Sequence, residues 1–172
     1  MVKIIEFCGS AGSGKTMVIE KLINRMRYDY KIAIIVANLI GDDDYKIFRE
    51  YGIKTINVNT GNKCFDYGSF EYIKKEIEDA EYIFIENVGS LLCSFINIKH
   101  KKIAITSATQ GNIIKKYPLI FQLADVVVIS KTDIIENVDD IIKSINEISH
   151  ARILKTNING DGIEELIKWI TE

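Results

Sequence analysis

The sequence predicts a doubly wound α/β domain built on a mostly parallel sheet, and three observations carry that prediction. Short apolar runs rich in Ile and Val alternate with amphipathic stretches along the whole chain. Several of these runs are nearly continuous in Ile, Val and Ala, as parallel strands are when helices cover both faces. The first run ends in a glycine-rich loop that opens directly into helix-forming residues. Strand–helix alternation with such a loop after the first strand places the functional residues at the C-terminal edge of the sheet.

The elements follow in order. Lys3–Cys8 reads as the first strand, and Lys15–Arg27 as the helix that leaves the glycine-rich loop. Ile32–Ala37 is a second strand, followed by a helix over Asp43–Tyr51 whose start carries Asp42, Asp43 and Asp44, acids that suit a helix N-terminus. Lys54–Val58, a helix over Tyr67–Glu78, and the strands Tyr82–Glu86 and Lys102–Thr106 continue the alternation. Pro118, the lone proline, limits the stretch between Thr106 and Val126 to a short helix. Val126–Ser130 is the next strand. In the helix Val138–Ile148, Ile141, Ile142, Ile145 and Ile148 recur at helical spacing and face the sheet. Ile153–Lys155 is the last strand, and Ile163, Leu166, Trp169 and Ile170 form the packing face of a final helix over Ile163–Ile170.

The 172 residues fit one domain, residues 1–172, with a full hydrophobic core. With 22 basic and 24 acidic side chains and a net charge of −2, nothing electrostatic points to nucleic acid or an anionic membrane as partner. No apolar run spans a bilayer, and the chain opens on a strand rather than a signal peptide, so a cytoplasmic location is expected. Cys8, Cys64 and Cys93 have no disulfide-framework spacing and are expected as free thiols or metal ligands, Cys8 being core. His100, in a basic turn from Lys99 to Lys102, and His150, at a helix end, read as surface residues.

The glycine-rich loop carries the chemistry. Gly9-Ser10-Ala11-Gly12-Ser13-Gly14-Lys15-Thr16 is Gly-x4-Gly-Lys-Thr between a strand and a helix, the setting of a phosphate loop. Main-chain groups from Gly9 to Met17, those of Ala11, Gly12, Ser13 and Gly14 among them, are expected to cradle the phosphates at the positive end of the helix. Lys15 is expected at the β- and γ-phosphates and the Thr16 hydroxyl on a Mg²⁺ ion. Glu86-Asn87-Val88-Gly89 ends an apolar strand in an acid: Glu86 is expected at the Mg²⁺ and the Gly89 N–H at the γ-phosphate. Ser130-Lys131-Thr132-Asp133 resembles the Asn-Lys-x-Asp guanine motif, with Ser130 in the Asn position. The Asp133 carboxylate suits the N–H groups of guanine and would be left unsatisfied by adenine, while the stem of Lys131 can lie over the purine. Asn157, before Gly160-Asp161-Gly162, stands where the last base-contacting loop of such domains lies. These signatures describe a P-loop NTPase G domain binding GTP or GDP. A P-loop kinase or ATPase for a small molecule fits less well, because the guanine-type motif argues against adenine and no Arg-rich lid segment is visible.

Glu86-Asn87-Val88-Gly89-Ser90-Leu91-Leu92-Cys93 resembles the Glu-Asn-Val-Gly-Asn-Leu-Val-Cys signature of the nickel-insertion GTPases of hydrogenase maturation, the HypB family of SIMIBI-class P-loop GTPases. Thr60-Gly61-Asn62-Lys63-Cys64 is similar to that family's Thr-Gly-x-x-Cys-His, and Lys116-Tyr117-Pro118-Leu119-Ile120-Phe121, leading into Ala124-Asp125, to its Lys-Tyr-Pro-x-x-Phe. The resemblance runs over essentially the whole chain. It implies GTP hydrolysis coupled to Ni²⁺ delivery to a nickel-enzyme precursor, accessory maturation proteins as partners, and a homodimer with a metal between subunits on Cys64 and Cys93. Three positions depart from the family pattern. Phe65 stands in place of the ligand His, Asn38 in place of an Asp that helps at the Mg²⁺ or the attacking water, and Ser130 in place of the guanine-motif Asn. Asp44 matches a family Asp in the switch region.

Two thiolates per chain give four sulfurs across a symmetric dimer, a set that suits tetrahedral Zn²⁺ or square-planar Ni²⁺. The expected activity is slow GTP hydrolysis acting as a switch, with Lys15, Thr16, Glu86 and Asn38 as its chemical residues and no Gln or His marked out to place the water. The nucleotide state is expected to order Asn38–Asp44 and Glu86–Cys93, which would couple the nucleotide to the metal. The alternative is a catalytically weak nucleotide-dependent scaffold or metal-sensing module that no longer delivers nickel.

Overall fold

The computed structural model describes residues 2–61, 63–87 and 95–172. Seven strands, β1 (Lys3–Cys8), β2 (Ile32–Asn38), β3 (Lys54–Asn59), β4 (Tyr82–Asn87), β5 (Lys101–Ser107), β6 (Val126–Ser130) and β7 (Arg152–Lys155), form one sheet in the order β3-β2-β4-β1-β5-β6-β7. Every described pairing is parallel. The helices are α1 (Lys15–Met26), α2 (Asp43–Glu50), α3 (Tyr67–Lys74), α4 (Asn112–Lys116), α5 (Pro118–Leu123), α6 (Asp139–Asn146) and α7 (Ile163–Thr171). A 3₁₀ turn, Lys75–Ile77, finishes α3 earlier than the periodicity predicts.

Strand alternation explains the layers. Ile34, Val36, Phe84, Ile103, Ile105, Val126 and Val128 point to one face, where α1, α2 and α7 cover them. Their neighbours in sequence point to the other. There Ala33, Ile35, Ile83 and Ile85 pack with α3, while Ala104, Val127 and Ile129 pack with α4, α5 and α6. In α6, Ile141 and Ile145 are buried, and Ile142 and Ile148 pack beside them, as the helical spacing predicts. Pro118 does not shorten one helix but separates two. It occupies the first position of α5, where its missing N–H has no partner to lose, and α4 ends at Lys116.

The two clusters on the second face are separated by a buried polar seam, and here the surface assignment of His100 is overturned. The chain leaving β4 must cross over β1 to reach β5, and the described part of that crossing, residues 95–100, is irregular. Glu6 of β1 lies beneath it with no exposed side-chain surface. Its Oε1 accepts from Asn87 Nδ2 at 2.8 Å and its Oε2 from the Ile96 N–H at 2.9 Å. His100, also with no exposed side-chain surface, sets Nε2 2.8 Å from Glu6 Oε2, while its Nδ1 lies 2.8 Å from Ile98 O. Both ring nitrogens thus face oxygens. Phe95 packs into one cluster and Ile96 into the other, so the crossing segment is stitched down at its apolar and polar points alike. His150 is exposed, as expected. Lys101 and Lys3 are not simply solvated: both ammonium groups donate to the last carbonyls of α7, and Lys101 lies over the Trp169 ring. No helix among the described residues is long and apolar enough to cross a membrane.

Removing His100 leaves the Glu6 side chain buried without the ring that faces its Oε2. His100→Ala is expected to cost about 3 to 5 kcal/mol in urea unfolding, and Glu6→Leu/His100→Leu together clearly less than either partner lost alone. A His100→Ala loss below about 1 kcal/mol would show that the pair carries little of the crossing's stability.

Candidate nucleotide-binding site

The phosphate-loop sequence lies where its pattern predicts, between the C-terminus of β1 and α1. Gly14 is the residue before the helix, at φ 88°, a left-handed conformation that disfavours any side chain, and a Cβ there would fall 2.8 Å from Ser130 Oγ. A Cβ on Gly9 would fall 2.3 Å from Ile105 O, so the loop's first residue can pass β5 only as glycine. No side chain caps α1 and no acid occupies its first turn, so its first N–H groups remain available to an anion. Lys15 is buried, and its Nζ donates to Gly9 O at 2.9 Å and Ser10 O at 3.0 Å. Burial lowers its pKa, against the opposing pull of the Glu86 charge. Met17, next in α1, packs on the core beside Gly14.

The acids converge on Thr16. Its Oγ1 lies 2.9 Å from Glu86 Oε1 and 3.0 Å from Asp44 Oδ1. β4 pairs with β1 so that Glu86 faces Phe7, next to the loop, and α2 brings Asp44 across from the other side. Glu86 is fully buried, and its Oε2 has no hydrogen-bond partner. Burial, then the Asp44 charge, pushes its pKa from 4.5 up to about 7, with Lys15 and Thr16 pulling the other way. A hydroxyl and two carboxyls, one of them with an orphaned buried oxygen, form a set of hard donors suited to a divalent cation. Asn38 does not join them through its side chain. It is buried at the end of β2 and its Nδ2 donates to Asn57 Oδ1 on β3 at 3.4 Å. Sequence reasoning saw Asp44 mainly as helix charge; its contact with Thr16 depends on how α2 docks.

The other side of the loop meets β6. Ser130 is buried, and its Oγ donates to Ser13 O at 2.6 Å. Its shortness is what admits the close approach of Gly14. Lys131, at φ 57°, sends Nζ to Gly12 O at 2.8 Å. Asp133 is exposed two residues on. Asn157 lies at the same edge, but its Oδ1 accepts from the N–H groups of Asn159, Gly160 and Asp161, and its Nδ2 donates to Asp161 Oδ2 at 2.6 Å. The turn into α7 uses that side chain. Sequence reasoning missed Gln110. From the loop after β5 its Oε1 accepts from Ser10 Oγ at 2.8 Å and its Nε2 donates to Ala11 O at 3.0 Å. No local motif marks it, since it lies 99 residues from Ala11.

Cys64 is exposed and, against the expectation of a free thiol or metal ligand, is engaged in a disulfide, whereas Phe65 is 2% exposed and packs with Phe70 and Ile96. Cys93 and Gly89 lie outside the described residues, as does most of the Glu86–Cys93 stretch expected to respond to nucleotide. Among the described residues no group of three or more His, Cys, Asp or Glu is disposed to hold a metal ion. Cys8 is buried and free; burial, then the Glu6 charge, raises its pKa, which keeps the thiol protonated.

Glu86 gives a pH signature. Between about pH 4.5 and 7 the folded protein holds a proton on Glu86 that the unfolded chain releases. Stability of the ligand-free protein is therefore expected to fall as pH rises through that window, by at most roughly 3 kcal/mol, and to level off above it. Urea unfolding as a function of pH checks this, and Glu86→Gln is expected to remove that part of the slope.

A family model described as the CobW/HypB/UreG nucleotide-binding domain matches residues 3–158. The probable hydrogenase maturation factor HypB of Methanocaldococcus jannaschii is 37% identical over 150 residues, covering 84% of this chain and 68% of its own. The hydrogenase/urease maturation factor HypB of Helicobacter pylori strain J99 is 34% identical, covering 77% of this chain and 58% of its own. The chain thus spans roughly three-fifths to two-thirds of the length of these relatives. Among solved structures, HypB from Archaeoglobus fulgidus superposes with a TM-score of 0.89 at 28% identity, covering 99% of this chain and 89% of its own. HypB from Helicobacter pylori in complex with nickel superposes with a TM-score of 0.84 at 27% identity, covering 99% and 86%. The chain belongs to the CobW/HypB/UreG family, as a HypB-like P-loop GTPase.

Proposed function

We propose that residues 1–172 act as a single GTPase domain, a slow molecular switch in the maturation of a nickel enzyme such as a hydrogenase. The observation that carries this reading is the buried Glu86 carboxyl, one oxygen on Thr16 and the other unpartnered, beside a lysine-bearing phosphate loop. In this reading the N–H groups of Gly9 to Met17 and the Lys15 ammonium hold the triphosphate, and Gly89 approaches the γ-phosphate. Asp133, Lys131 and the Asn157 turn recognise guanine. Thr16 and Glu86, with Asp44 beside them, hold Mg²⁺, which when bound neutralises charge on the transferring phosphoryl group. Asn38 acts from the end of β2 on the segment leading to Asp44. The Gly12–Thr16 amides and Lys15 keep the phosphoryl group in line and stabilise the charge that develops on it. The metal cargo, Ni²⁺ or Zn²⁺, belongs to Cys64 and Cys93 across a homodimer, with a nickel-enzyme precursor or accessory maturation protein as recipient. Such a protein works in the cytoplasm without nucleic acid or membrane.

A second reading, a nucleotide-dependent scaffold or metal sensor without nickel delivery, is favoured by one observation. Phe65, in the position where the family carries a ligand His, is committed to the core.

Two experiments test these readings. Asp133→Asn is expected to weaken GTP binding about 10- to 100-fold, the worth of one or two buried hydrogen bonds to a charged group, while ATP binding stays weak and unchanged. Equal affinity of the parent protein for ATP and GTP would remove the guanine assignment. Titration of the reduced protein with Ni²⁺ and with Zn²⁺, read alongside oligomeric state, is expected to give about one ion per two chains and none in Cys64→Ser. Stabilisation by guanine nucleotides without phosphate release would favour the scaffold reading.

A further inference from the structure

Three successive carbonyls of the phosphate loop are each held from outside by a side chain. Gln110 Nε2 donates to Ala11 O, Lys131 Nζ to Gly12 O and Ser130 Oγ to Ser13 O. All described peptide bonds are trans, so each carbonyl and the N–H that follows it point in opposite directions. Tying Ala11 O and Ser13 O outward turns the Gly12 and Gly14 N–H groups into the cradle. The Ser13 N–H between them is spent on Ser10 O at 3.1 Å. Lys131 and Ser130 belong to the guanine-type motif; Gln110 belongs to no motif in the chain.

Gln110 is itself firmly placed. Its N–H donates to Ser107 O at 2.9 Å and its carbonyl accepts from the Ile113 N–H at 3.0 Å. Ser107 ends β5, which pairs directly with β1, the strand that delivers the loop. Both ends of the Gln110 amide are used, the acceptor on Ser10 and the donor on Ala11. An amide is the side-chain group that offers one of each in a single plane. The arm it grips is also where the Lys15 ammonium rests, on Gly9 O and Ser10 O. In a phosphate loop that lysine serves the β- and γ-phosphates, so this arm governs the terminal end of the triphosphate.

We infer that Gln110 is a positioning residue for the terminal phosphate: by fixing the Ser10–Gly12 arm it aims the Gly12 N–H at the β–γ end of GTP. This rests on the GTP-binding reading proposed above. Fixing a donor before the nucleotide arrives stabilises GTP more than GDP, because the diphosphate lacks the group that the arm addresses.

The test uses the whole chain with Gln110→Met, which keeps the length of the side chain but neither hydrogen bond, and measures affinity for GDP and for a non-hydrolysable GTP analogue. The analogue is expected to weaken about tenfold, the worth of one lost hydrogen bond, with GDP changed less than about threefold and single-turnover hydrolysis slowed about tenfold. In nucleotide-free protein the Gly12 amide resonance is expected to shift while the thermal midpoint stays within about 2 °C. Ser10→Ala is expected to cost less in the Gln110→Met background than alone, the signature of a shared contact. Equal weakening of GDP and the analogue, or no weakening of either, would overturn the role. A parent protein that binds neither nucleotide would instead remove the GTP reading, and this inference with it.

Discussion

The double pairing of β1 is the constraint on which the rest of this molecule depends. Flanked by β4 on one side and β5 on the other, β1 delivers its glycine-rich loop at a fixed height above the sheet edge. The same register puts Glu86 opposite Phe7 and runs β5 past Gly9 closely enough to exclude a Cβ. Loop, acid and Gln110 are therefore positioned by backbone hydrogen bonds along three adjacent strands rather than by their own contacts alone. That is why a single edge of a parallel sheet can assemble residues from distant parts of a chain.

Two buried glutamates show how alike environments lead to different ends. Glu6 has every need met: an asparagine amide, a backbone N–H and a histidine surround its carboxylate. It is structural, and it holds down residues 95–100 ahead of β5. Glu86 is just as buried but keeps one oxygen unpartnered and shares a hydroxyl with a second acid. Burial and the Asp44 charge raise its pKa. A buried carboxyl in such a state persists where a ligand supplies what the fold leaves out.

The departures from the family pattern have separate physical consequences. Ser130 keeps a tie to the phosphate loop with a side chain short enough for Gly14 to lie against it. Asn38 turns its amide to Asn57 and brings no carboxylate to Thr16, beside which Asp44 stands. Phe65 exchanges a polar position for a place in the apolar core under α3. The first change preserves a contact, the second removes a charge, and the third removes a donor.

The sequence by itself determined the strand and helix succession, the phosphate loop, Glu86 at a strand end and the Ser-Lys-Thr-Asp motif. All of these are written in local periodicity or short spacing, which a linear reading captures. Only the tertiary structure decided what depends on distant segments meeting. Glu6 looks like a stray acid in an apolar strand until the β4–β5 crossing covers it, and His100 looks exposed until it reaches that acid. Gln110 gains its place from the pairing of β5 with β1, which leaves no mark in the residues around it, and the contact of Asp44 with Thr16 is set by the docking of α2. Hydrogen bonds across a sheet edge are long-range by nature, so their partners become visible only when the chain is folded.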